Sequence, residues 1–142
     1  MQLTKTLSIF FLSLLLFSSF TTVSPVVPAA LPQQFPNACD AFIVNHLDVY
    51  MSEAHFISPL EDLALYNIAP DDIDGGVLDY ETTAEVSITI DFITPLPKDA
   101  VATIKYYLTT ETVTIPAGTT TFRHRLYAIG GVGGIGVNVD YK

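Results

Sequence analysis

Between Ala84 and Phe92 the chain reads AEVSITIDF, and apolar and polar residues alternate over all nine positions. Ala84, Val86, Ile88, Ile90 and Phe92 fall on one side; Glu85, Ser87, Thr89 and Asp91 fall on the other. Only an extended chain puts every second residue on one face, so this stretch predicts a strand with one buried side. The same period recurs downstream. VATIKYYLT points Ala102, Ile104, Tyr106 and Leu108 inward and Lys105 outward. Thr112–Ile115 then runs into PAG, where Pro116 and Gly118 suit a turn. TTFRHRLYAI sets Phe122, His124, Leu126 and Ala128 against Arg123, Arg125 and Tyr127, and Ile135, Val137, Val139 and Tyr141 alternate near the C-terminal end.

The first half is less regular. AFIVNHLDVYM, residues 41–51, is rich in β-branched and aromatic residues and predicts one strand. SPLEDLALYN is the single helix candidate: Ser58 and Glu61 have capping-box spacing, Pro59 suits a first helical turn, and Leu60, Leu63 and Ala64 share a face. An edge strand through Leu63–Ile68 is the alternative. Six to eight short strands split by Pro/Gly turns predict an all-β fold, an antiparallel two-sheet β-sandwich of immunoglobulin-like or lipid-recognition-like type with at most one short helix. A barrel is the second choice.

Met1–Thr6 carries one cation, Lys5, and Leu7–Phe20 is almost wholly apolar, with serines as its only polar members. At fourteen residues the run is short for a membrane span, which needs roughly 20. It reads as a signal peptide over 1–29, with Val27-Pro28-Ala29 as the cleavage site. Residues 30–38 read as a Pro-rich extended leader, and 39–142 as one sandwich domain. The expected protein is secreted and extracellular, with no membrane span or lipid anchor. No Asn-x-Ser/Thr sequon occurs. Cys39 is the sole cysteine, which leaves a buried apolar thiol or a Cys39-linked homodimer.

Without Lys5 the chain has five cations against fifteen carboxylates, a net charge of −10. Residues 30–97 hold twelve acids and no Lys or Arg; residues 98–142 hold five cations and three acids. Such a field repels phosphate backbones and anionic membranes, so nucleic acid is excluded as a partner.

APDDIDGGVLDYE, residues 69–81, resembles part of an EF-hand calcium loop when Pro70 is taken as its first position. Pro70 offers no side-chain oxygen, however, and a strand follows where that module has a helix. A looser calcium site on Asp71, Asp72, Asp74 and Asp79 remains, beside the plainer reading of a solvated turn in which Gly75-Gly76 supply positive φ. GVGGIG, residues 131–136, matches a dinucleotide fingerprint by letter only, because no helix can follow it. Facing carboxylates for glycoside cleavage cannot be singled out, a Cys39–His46 nucleophile pair rests on two residues alone, and no G-x-S-x-G occurs. An enzyme is not expected.

The one positive stripe, Arg123 and Arg125 with Tyr127 beyond, is the candidate docking patch for an acidic partner or lipid headgroup. Its alternative is pairing with the chain's own carboxylates. The chain is also similar to the MD-2-related lipid-recognition sandwiches in its signal peptide, its early Cys39, its β-rich length and the IDGG run before a strand. That resemblance implies a sandwich holding a hydrophobic ligand between its sheets, and carries no site residue over. The primary expectation is a non-enzymatic binding protein that meets an extracellular or cell-surface partner through sandwich-end loops, Pro70–Asp79 and Gly130–Gly136. A carrier of a small hydrophobic ligand is second, and a weak calcium module third.

Overall fold

The computed structural model describes residues 37–81, 85–127 and 133–142. The signal peptide, most of the leader, and Ala84, Ala128, Gly130 and Gly131 lie outside them.

The described residues form nine strands: β1 Asn37–Asn45, β2 Met51–Ile57, β3 Asp62–Ile68, β4 Asp72–Tyr80, β5 Val86–Phe92, β6 Ala100–Tyr106, β7 Thr109–Ile115, β8 Thr121–Leu126 and β9 Ile135–Tyr141. They build a two-sheet β-sandwich, with β4-β1-β9-β6-β7 in the larger sheet and β3-β2-β5-β8 in the smaller. Pairing is antiparallel except between β1 and β9, which run parallel from Ala41–Ile135 to Asn45–Val139. The described residues contain no helix, and so none that could cross a membrane.

Period two does the folding work in β5, where Val86, Ile88, Ile90 and Phe92 are buried between the sheets. Ala100, Ala102, Ile104 and Tyr106 of β6, Phe122 and Leu126 of β8, and Ile135, Val137 and Val139 of β9 complete that core. Leu108 departs from the expected inward face. The strand ends at Tyr106, Tyr107 takes φ 50°, and Leu108 sits 87% exposed in the two-residue turn to β7.

The stretch 41–51 is not one strand. Asn45, fully buried, donates from Nδ2 to the carbonyls of Val49, Ile68 and Ala69 and accepts from the Leu47 N–H. These bonds reverse the chain over 46–50, while Leu47 and Val49 stay buried. β2 then crosses to the other sheet. A bulge at Ser52 turns Met51 inward, and Ser52 Oγ fills the gap by donating to the Asp91 carbonyl.

The helix expected at SPLEDLALYN is a turn followed by a strand. Ser58 Oγ does accept from the Leu60 and Glu61 N–H groups, as a cap would. The Ser58 N–H, however, donates to the Glu61 carbonyl, which closes the turn and starts β3 one residue later. From there Leu63 and Leu65 face Phe56 and Ala54 of β2, so pairing with β2 prevails over a marginal two-turn helix.

Candidate functional site

The acidic stretch is mostly strand rather than loop. Asp71 sits in the turn at φ 60°, its N–H held by the Asn45 carbonyl, and β4 begins at Asp72. Asp72 and Asp74 each accept from the next residue's N–H, at 2.9 and 2.8 Å. Asp79 uses its backbone, donating to Glu61 Oε2 at 2.7 Å and accepting from Ser58 Oγ at 2.5 Å. A strand rises about 3.3 Å per residue, so Asp72 and Asp79 stand roughly 23 Å apart and cannot share an ion. Among the described residues no group of three or more His, Cys, Asp or Glu side chains is placed to hold a metal.

Gly75 and Gly76 are needed for close approach, not for positive φ. A Cβ on Gly75 would lie 2.6 Å from the Ala41 carbonyl oxygen, and one on Gly76 2.9 Å from Leu63 Cδ1. Gly136, expected in a sandwich-end loop, is in β9 and lies under the Phe42 ring, which a Cβ would meet at 2.7 Å.

Cys39 faces the core, 8% exposed, opposite Leu78. Burial, then the nearby Asp40 carboxylate, pushes its thiol above the ordinary range. An inward thiol cannot meet a second copy's, so a Cys39-linked dimer is not indicated. His46 follows the far end of β1, too distant to activate it.

The positive stripe is where side chains converge. β8 turns Arg123 and Arg125 to the outer face of the smaller sheet; Tyr127, just past the strand, is exposed and stands outside the group. Register places Arg123 opposite Thr89 and Thr89 opposite His55, while Arg125 faces Ser87 and Ser87 faces Ile57. Ser87, Thr89 and Asp91 are short, whereas the flanking Arg, His and Ile side chains are long. The result is a trough of about 700 Å³ along β5, also lined by Asp62 and His124. Its walls on β2 and β8 are two strand spacings apart, about 10 Å.

His55 Nδ1 lies 2.8 Å from Asp62 Oδ1 and Nε2 lies 3.4 Å from Glu53 Oε2. The Asp62 bond raises its pKa above the usual histidine range, partly opposed by desolvation. Asp91 accepts from Thr121 Oγ1 at 2.6 Å, and Arg125 Nε meets Glu85 at 3.2 Å. Arg123 has no ion-pair or hydrogen-bond partner among the described residues. On the opposite side of the molecule a smaller groove of about 300 Å³ runs beside Phe42, Thr103, Lys105 and Asn138.

Sequence periodicity identified Arg123 and Arg125, but not His55, Ser87 and Thr89, which join them only through cross-strand register. Comparison with known proteins finds no matching family model, curated protein or solved structure.

Proposed function

We propose that the chain is a secreted, non-enzymatic binding protein whose contact surface is the outer face of its smaller sheet. The observation that carries this reading is Arg123: an exposed arginine with no partner among the described residues, in a chain of fifteen carboxylates and beside a preformed polar trough. A rigid sheet presents its side chains in fixed register, so such a face recognises a partner without reordering a loop. The partner is an extracellular or cell-surface component.

Two rival readings have less support. A lipid carrier needs space between the sheets, yet Ile43, Phe56, Ile88, Ile90, Ile104, Leu126 and Val137 are wholly inaccessible to a water-sized sphere. A calcium module needs its carboxylates together, and β4 spreads them apart.

The test is binding of the fluorescently labelled protein to intact cells, with one variant on each outer face. Thr89→Trp fills the trough and should weaken binding at least tenfold; Thr103→Trp, on the larger sheet, should leave it unchanged. Equal binding by Thr89→Trp and wild type overturns the reading.

A further inference from the structure

We infer that the trough along β5 receives a glycan bearing a single oxyanion, carboxylate or sulfate, which Arg123 holds above Thr89. This rests on the docking face proposed above and names the chemistry of its partner.

The charges around the trough are nearly all committed. Asp62 and Glu53 hold the two ring nitrogens of His55, Asp91 holds the Thr121 hydroxyl, and Glu85 holds Arg125. Of these trough charges Arg123 has no partner among the described residues, and its planar guanidinium matches an oxyanion with two parallel hydrogen bonds. One uncommitted positive charge calls for one negative charge on the ligand. The rest of the molecule enforces that number. At a net charge of −10 without Lys5, the chain repels a polyanion at long range, whereas a lone oxyanion feels mainly the trough's own charges, carboxylates as well as arginines, within a Debye length of about 8 Å.

The remaining lining selects a polyhydroxyl compound over a peptide. Ser87 and Thr89 offer hydroxyls that donate and accept, and Asp62 and Asp91 retain free acceptor lone pairs for sugar hydroxyls. Among the described residues that line the trough Ile57 is the only Leu, Ile or Val, so they form no apolar pocket to anchor a peptide side chain. The floor from Ser87 to Asp91 is about 14 Å long, which suits an extended oligosaccharide lying along the strand.

An array of immobilised oligosaccharides decides the matter, with matched backbones carrying none, one or several carboxylate or sulfate groups. The full chain should bind the singly acidic members at least tenfold better than the neutral ones, and better than the multiply acidic ones. Arg123→Gln should lose that tenfold preference while melting like wild type, and Lys105→Gln on the opposite face should keep it. No signal on any member, equal binding to neutral members, a preference for multiply charged ones, or an unchanged Arg123→Gln each overturns the inference. If the array is silent while Thr89→Trp still abolishes cell binding, the glycan falls and the docking face stands. If Thr89→Trp binds cells like wild type, the docking face itself falls.

Discussion

The two long edges of the sandwich are closed by different chemistry. Along β3 and β4 the sheets meet without spacing: Gly76 lets Leu63 press onto β4, and Ser58 and Glu61 bond the backbone of Asp79. Along β7 and β8 the closure is titratable. Glu111 turns inward from β7, accepts from the Tyr106 hydroxyl, and meets His124 Nε2 of β8 at 2.8 Å. Inward-pointing charge on an edge strand also discourages pairing with another chain. The first edge is fixed mainly by shape and by bonds to the Asp79 backbone, and the second by a carboxylate held between a phenol and an imidazole.

Substitutions should separate the two edges, with the largest effect on the glycine side. Gly75→Val places a side chain into the Ala41 carbonyl and Phe42, both part of the neighbouring strand, and should cost about 3 kcal/mol or more. Chemical denaturation measures this, and a loss below 1 kcal/mol would mean that β4 moves freely. Ser58→Ala removes one donor and one acceptor that serve three backbone groups, at about 1–3 kcal/mol, with no dependence on pH between 4 and 8.

The other edge should respond to acid. The Tyr106 bond first, and His124 second, hold the Glu111 carboxyl below its usual value. A depressed carboxylate contributes stability above its unfolded pKa and loses it as pH falls through the folded one. Melting temperature should therefore drop below about pH 4.5, less steeply in Glu111→Gln than in wild type. With Glu111 36% exposed, solvent screening keeps the difference under about 1 kcal/mol. At the alkaline end Tyr106, pushed up to about 12 by Glu111, keeps its donating proton through pH 10. The smallest effect belongs to His55 in the trough. Its raised pKa means stability present below pH 6.5 and lost as pH rises through the folded value. His55→Gln should flatten that slope by a few tenths of a kcal/mol, and an unchanged slope would show that Asp62 and Glu53 do not hold the imidazolium.

The strands with one face in the core were legible because period two is a property of a single strand. β5, β6, β8 and β9 announce themselves that way. β2 was hidden because Ile43, Leu47, Val49 and Met51 are all buried although the chain reverses between them; the reversal comes from Asn45, whose hydrogen bonds no hydropathy pattern reveals. β3 was obscured by a serine that caps a turn in the same way it would cap a helix. In the candidate site the two arginines were visible on one strand. Thr89 and His55 were not, because which residue lies opposite which is set by register, and register depends on the bulge at Ser52 and the turns between strands.

The parallel pair in the larger sheet sets an order of events. β9 lies between β1 and β6, so the first strand and the last are neighbours across some ninety residues of intervening chain. Until β9 has been made, β1 can pair only with β4, and β6 only with β7. The larger sheet can therefore be completed only after β9 has been synthesised, by a slow contact of high sequence separation. A copy that lacks β9 leaves β1 and β6 each with one unpaired edge, open to another chain.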